Sequence, residues 1–265
     1  MKSVFEKFVS RTTDAVAADD RFLGLAISGS WVRDEIDEFS DLDLLVVCEE
    51  DTALDLAVMR NFADSLGLLI SSFSGEHVGE PRLLICLFDA EPVIHVDIKF
   101  MTLSGLKTRS YNSVVVYERE STISTLYKSS EPTPFKPDPQ WIEDRFWTWI
   151  HYAALRIGRS ELFDLVSFLG FIREKVLGPL ALHAAGFPPF GVRRIERYLP
   201  EFSRQLEETI PAYDVESCYS ATLASIKIYR ELRASASDAI IVNERAENAS
   251  VQYLGEVALR VHNLV

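Results

Sequence analysis

The stretch GSWVRDEIDEFSDLDLLVV, residues 29–47, decides the fold. It leaves one short apolar run, LGLAIS (residues 23–28), and ends in another, LDLLVV (residues 42–47). Runs of that length read as strands. Gly29-Ser30 opens a turn between them, and the pattern predicts a short helix behind it with Ser30 as N-cap. Exposed backbone N–H groups at a helix N-terminus are a ready site for phosphate. After ten intervening residues come Asp41 and Asp43, at i and i+2 on the incoming strand.

Alternate side chains of a strand leave the same face, at ~6.6 Å for two steps of ~3.3 Å. Asp41 and Asp43 are therefore expected to converge on one Mg²⁺, while Leu42 and Leu44 point into the core. Two like charges placed side by side are costly without a cation. A third carboxylate sits in VIHVDIKF, where Ile94, Val96, Ile98 and Phe100 take one face and His95, Asp97 and Lys99 the other. If that strand lies beside LDLLVV, Asp97 joins the same site, as a further metal ligand or as the base that deprotonates an acceptor hydroxyl. Taken singly, a DxD is a common turn element and a lone strand Asp is commonly solvent-facing; the combination carries the reading. Gly24-x4-Gly29-Ser30 looks like a phosphate-binding P-loop, but Trp31 follows and no Lys is present to reach the phosphates.

Outward from this stretch, residues 2–18 carry apolar positions at helical spacing. FLGLAIS, LDLLVVC, GLLISSF, RLLICLF and PVIHVDIKF read as strands, and ALDLAVMRNFADSLG as a helix between the second and third. The expected fold class is α+β: a mixed sheet with flanking helices over residues 1–130, then an all-α helical bundle over 140–265. Between them, residues 131–139 hold Pro132, Pro134, Pro137 and Pro139, which predicts an extended linker. The bundle is read from WIEDRFWTWIHYAALRIG, SELFDLVSFLGFIREKVLGPLALHAAG, YSATLASIKIYRELRA and ENASVQYLGEVALRVHNLV, all of 3.6-residue period.

The 265 residues carry a formal charge of −13, with 48% hydrophobic and 25% charged side chains, the balance of a globular protein. Residues 1–139 hold 24 acidic against 13 basic side chains, a net of −11, and residues 140–265 hold 16 against 14. Nucleic-acid binding draws on Lys and Arg contacts to phosphate, so DNA and RNA are poor candidates as partners. An acidic surface suits metal ions or a cationic small molecule, or serves solubility alone. Cys48, Cys86 and Cys218 lack CxxC spacing, and the five His lack the paired spacing of a zinc site. With no apolar run of membrane-spanning length and a charged N-terminus, the chain is expected to be cytoplasmic and to engage no membrane.

Gly29-Ser30, ten residues, Asp41-Leu42-Asp43 and a later Asp97 together resemble the nucleotidyltransferase superfamily of polymerase-β type. A catalytic domain followed by a helical bundle is similar to the bacterial nucleotidyltransferases that act on aminoglycosides and lincosamides. The resemblance implies an Mg²⁺-dependent enzyme that moves an NMP group, AMP from ATP, onto a hydroxyl of a small-molecule acceptor, with antibiotic resistance as one setting. It implies catalytic and metal-ligating roles for Asp41, Asp43 and Asp97, and nucleotide contacts from Gly29, Ser30, Arg33 and Lys99. Asp34 stands after Arg33 where many relatives have glycine.

In the C-terminal half, Tyr152, Arg156, Arg159 and Glu161 are candidates for acceptor binding, with Asp164 just beyond; the plainer reading is a solvated helix face laced with ion pairs. Trp141, Phe146, Trp147 and Trp149 read as packing residues or as stacking partners, and GVRRIERY as a basic surface helix. Two other functions stay open. One is protein or tRNA nucleotidylation of antitoxin type, with Arg145-x5-His151 similar to the short Arg/His pattern of the ribonucleases that partner such antitoxins. The other is a catalytically silent nucleotide-binding module.

Overall fold

The amphipathic N-terminal stretch folds as helix α1 (Lys2–Ala18), which buries Phe5, Phe8, Val9, Thr12 and Val16 along one side. The structure is a computed structural model that describes residues 1–50, 55–235 and 240–262. The fold class is α+β. Strands β1 (Phe22–Ile27), β2 (Leu42–Cys48), β3 (Leu69–Gly75), β4 (Glu80–Phe88), β5 (Ile94–Thr102) and β6 (Val114–Glu118) form one sheet in the order β3-β4-β5-β2-β1-β6. β2 and β5 pair in parallel and every other neighbour is antiparallel, so the sheet is mixed.

The central strand explains the layering. Leu42, Leu44, Val46 and Cys48 face a core built with Phe5, Phe8, Met59 and Phe62, from α1 and from α2 (Leu56–Ser65). The expected helix ALDLAVMRNFADSLG is α2; its residues 53–54 lie outside the described residues, and Asp55 caps it by accepting from the Val58 N–H at 2.8 Å. On the opposite face Leu45 and Val47 pack with Ala26 of β1, Leu106 of α3 (Leu103–Lys107) and Ile123 of α4 (Thr122–Ser129). β6 lies against β1 where Gly24 permits close approach: a Cβ there would meet the Tyr117 carbonyl oxygen at 2.5 Å.

The chain divides into two compact units, Met1–Pro134 and Phe135–Val265, and that division falls inside the proline-rich stretch. The second unit contains α5 (Pro139–Arg159), α6 (Leu162–Ile172), α7 (Gly178–Ala184), α8 (Ile195–Tyr198), α9 (Pro200–Glu207), α10 (Val215–Ser235) and α11 (Glu244–His262). Pro139, expected in the linker, instead opens α5, where its missing N–H costs nothing, and Asp138 caps the helix by accepting from the Trp141 N–H at 2.9 Å. The stretch SELFDLVSFLGFIREKVLGPLALHAAG is interrupted by a π-helical turn, Arg173–Leu177, ahead of Pro179. GVRRIERY is helical only from Ile195 to Tyr198, since Arg194 takes a left-handed backbone at φ 60°. Residues 263–265 of the last amphipathic stretch lie outside the described residues.

Phe146 and Trp147 are fully buried, with Phe146 stacked on Tyr229 at 3.8 Å, while Trp141 is largely exposed. Beside them Glu143 is buried and fully bonded. It accepts from Trp147 Nε1 (3.0 Å), Tyr229 Oη (2.6 Å), the Asn243 N–H (3.0 Å) and Arg233 Nη1 (3.2 Å). Burial alone would push its carboxyl up. The bonds from Tyr229, Asn243 and Trp147 and the Arg233 charge outweigh that and hold it below the ordinary carboxylate value. No described helix is long and apolar enough to cross a membrane.

Candidate active site

β1 hands the chain directly to the turn that faces β2. The Ser28 N–H donates to the Asp43 carbonyl at 3.0 Å, so the β1–β2 ladder runs one residue past Ile27. Gly29 then adopts φ 66°, a left-handed conformation that glycine takes without a Cβ penalty. Its missing side chain matters as much as its dihedral, because an ideal Cβ would stand 1.8 Å from Asp43 Oδ2. The turn backbone is thus laid against the Asp43 carboxylate, with Ser28 and Ser30 buried on either side of Gly29.

The short helix expected after Ser30 does not form. Residues 29–34 make a turn closed by Asp34 N–H to Trp31 O (3.3 Å) and Glu35 N–H to Ser30 O (3.0 Å). Asp34 has φ 53°, outside the right-handed region a helix needs, so no i to i−4 ladder propagates. Ser30 is therefore no helix cap, and any phosphate contact here comes from turn backbone. Arg33 lies in the same turn, but its Nε is 2.9 Å from Glu35 Oε2, which neutralises it locally.

Asp43 and Asp97 are direct register partners across the parallel β2–β5 pair. Neighbouring strands lie ~4.8 Å apart and paired residues leave the same face, so both half-buried carboxylates occupy one side of the sheet. Leu42 and Leu44 face the opposite side and are buried, as expected from the alternation. Asp41 immediately precedes β2. Its charge, with those of Asp97 and Asp43, reaches His95, so the three carboxylates share one electrostatic site.

Asp97 Oδ1 is 2.9 Å from His95 Nε2. That hydrogen bond raises the His95 imidazole above its ordinary value, against desolvation, and the fields of Asp97, Asp41 and Asp43 add to it. Lys99, two residues on and on the same face, pairs with Glu80 Oε1 at 3.0 Å. Among the described residues, no three His, Cys, Asp or Glu side chains converge closely enough to hold a metal ion as they stand. The donor set is nonetheless carboxylate oxygen, the chemistry of a hard cation such as Mg²⁺. Like charges directly opposite on paired strands are destabilising without one. By donor chemistry and shared face, the residues fit such an ion.

Tyr111, Glu80 and His95 belong to this neighbourhood but were not singled out from sequence. Burial pushes the Tyr111 phenol up to about 12, and the charges of Asp43, Glu80, Tyr127 and Asp97 add to the shift. A lone tyrosine between α3 and β6 has no motif. Only the strand alternation, which sets His95 on the Asp97 face, gave a partial signal for any of the three.

Within the helical unit, the other candidates meet their charges locally. Arg156 bonds Asp164 and lies over the Phe168 ring at 4.5 Å, and Arg159 Nη1 is 3.9 Å from Glu161 Oε2. Tyr152 is 46% exposed on the same helix. Arg145 donates to the Trp141 carbonyl at 2.9 Å, and His151 stacks on Tyr253 at 4.6 Å, so each member of the Arg/His pattern has a packing partner of its own. The three cysteines are free and buried, and burial pushes the Cys48 and Cys86 thiols up to about 12.

No family model matches the chain, and no curated protein does. Among solved structures it is similar to an aminoglycoside 6-adenyltransferase from Bacillus subtilis, at 14% identity over 96% of this chain and 97% of that one, with a TM-score of 0.42. It is also similar to a nucleotidyltransferase-like protein from Exiguobacterium sibiricum 255-15, at 12% identity over 84% of this chain and 73% of that one, again with a TM-score of 0.42.

Proposed function

We propose that the chain is an Mg²⁺-dependent nucleotidyltransferase that moves AMP from ATP onto a hydroxyl of a small molecule. The observation that carries this reading is the pairing of Asp43 with Asp97 on one sheet face, with Asp41 beside them and the Gly29 turn pressed against Asp43. Asp41 and Asp43 would hold the ion, with Asp97 beside them as the base. When bound, the ion supplies charge neutralisation on the triphosphate and on the leaving pyrophosphate.

The protein's own part is placement. The Gly29–Ser30 turn, with no side chain at its apex, lets backbone approach the phosphates beside Asp43. Asp97 is the carboxylate farther from that turn in strand order, on the side left for the acceptor. There it takes the proton of the acceptor hydroxyl as that oxygen bonds to the α-phosphorus. The bond from the α-phosphorus to its bridging oxygen breaks, and pyrophosphate departs with the electron pair. His95, bonded to Asp97 Oδ1, fixes the carboxylate's orientation.

Transfer of label from α-labelled ATP to hydroxyl acceptors, with and without Mg²⁺, tests this directly. Metal-dependent transfer by the wild type and none by Asp43→Asn is the expected result. Absence of transfer to every acceptor class, together with no thermal shift from Mg²⁺·ATP, would overturn it.

A further inference from the structure

The sheet face that carries the carboxylates does not stop at Asp97. Continuing away from the Gly29 turn, the register places Ile85 of β4 beside Asp97, and Phe73 of β3 beside Ile85. One step along the strands, Leu87 lies beside His95 and Ser71 beside Leu87. Register partners share a face, so Asp43, Asp97, Ile85 and Phe73 form a single row across four strands. At ~4.8 Å per strand, Phe73 lies about 10 Å from Asp97.

Beyond Asp97 the row is apolar, where an open sheet face is ordinarily polar. Phe73 is 49% exposed and Leu87 38% exposed, on the outermost strand and its neighbour. Edge strands of soluble proteins usually guard such positions with charge. Here Phe73 meets the His77 ring at 5.7 Å and remains half-exposed. The charged groups lie on its β5 side, as the His95–Asp97 pair and, one step along the strand, the Lys99–Glu80 pair.

On the nucleotidyltransferase reading above, we infer that Ile85, Phe73 and Leu87 form the acceptor's seat, and that the acceptor carries an apolar group about one ring's width from its reactive hydroxyl. The triphosphate side is fixed by the Gly29 turn, which follows β1. An acceptor that reaches Asp97 from the β5–β4–β3 side crosses these residues. A wholly polar acceptor would leave them wet and gain nothing from them. An acceptor with a flat or branched apolar group removes that surface from water while its hydroxyl rests at Asp97.

The test uses the full, isotope-labelled chain and two probes that share the same hydroxyls, phenyl β-D-glucoside and methyl β-D-glucoside. The phenyl compound should bind about tenfold more tightly and shift the amide signals of residues 71–73 and 85–87. Phe73→Ser and Ile85→Thr, at partly exposed strand positions that tolerate the change, should each erase the preference. Equal binding of the two probes, or a phenyl preference that survives both substitutions, would overturn the proposal. So would a concentration-dependent dimer abolished by Phe73→Ser, which would give the face to a second copy of the chain. The catalytic reading is judged separately on the same samples. A Mg²⁺·ATP thermal shift present in the wild type and in Phe73→Ser, and lost in Asp43→Asn, upholds it whatever the probes do.

Discussion

Gly29 and Asp43 compete for the same space: a Cβ on the glycine would stand 1.8 Å from Asp43 Oδ2. The turn backbone is therefore packed directly against the carboxylate, with no room for a side chain between them. Gly29→Ala should displace the Asp43 side chain and strain a left-handed backbone, costing about 1–2 kcal/mol of stability. Nucleotidyl transfer should fall by about a hundredfold or more, because a ligand misplaced by an ångström loses most of its effect. Denaturant melts and the label-transfer assay check both parts; an active Gly29→Ala enzyme would mean the turn plays no part in the site.

Asp43→Asn separates charge from shape. Asp43 and Asp97 are opposed across paired strands, so removing one charge relieves repulsion in the metal-free protein. Stability without metal should hold or rise by up to about 1 kcal/mol, as at sites that trade stability for activity. Transfer should fall by orders of magnitude, and the Mg²⁺·ATP thermal shift should shrink with the affinity. Calorimetry in EDTA and in Mg²⁺·ATP tests this. A clearly destabilised variant that still transfers nucleotide would make Asp43 a structural residue.

Glu143 sets an acid limit on the helical unit. Its carboxyl is held below the ordinary value, so the folded state binds its proton more weakly than the unfolded chain does. Its contribution is fully present above the unfolded value of about 4.3 and is lost as pH falls through the lower folded value. Glu143→Gln should cost about 2 kcal/mol at neutral pH, since it weakens the charge-assisted bonds from Tyr229, Trp147 and Asn243 and leaves Arg233 with Glu247 as its remaining carboxylate. It should also flatten the loss of stability below about pH 4.3. Thermal melts from pH 7 to pH 3 compare the two slopes, and parallel slopes would remove Glu143 from the account.

On the proposed reading, salt should divide the metal from the acceptor. The metal is held by charge, so its affinity should weaken several-fold as the screening length shrinks from ~10 Å at 0.1 M to ~3 Å at 1 M. An acceptor seated on Phe73 and Ile85 should keep its KM over the same range. A KM that climbs steeply with salt would indicate a cationic acceptor held by the acidic surface, the partner that the −11 charge of residues 1–139 suggested.

What was legible in the sequence follows from which signals are local. The apolar runs of β1 and β2 and the alternation of β5 announced strands, and that alternation set Asp97 opposite the core face. β3 and β4 were placed to within two residues, blurred by the bulges that shift their register. β6 was missed because VVVYE is short and half-exposed, and gains its place only by pairing with β1. The helix after Ser30 failed on one dihedral, at Asp34, that no propensity encodes. His95, Glu80, Tyr111 and the Phe73–Ile85 row were invisible as a group, because register across strands is a tertiary fact.

The β2–β5 pairing has a further consequence for how the protein matures. Between these two parallel strands the chain leaves to build α2, β3 and β4, then returns. The hairpins β3–β4 and β4–β5 can form from near neighbours in sequence, whereas β2–β5 closes only after the whole excursion is complete, and such distant pairings form slowly. Asp43 and Asp97 therefore meet only when that excursion closes. On the proposed reading, affinity for the metal should appear after the local hairpins have formed, which makes cation uptake a clock for the joining of β5 to β2.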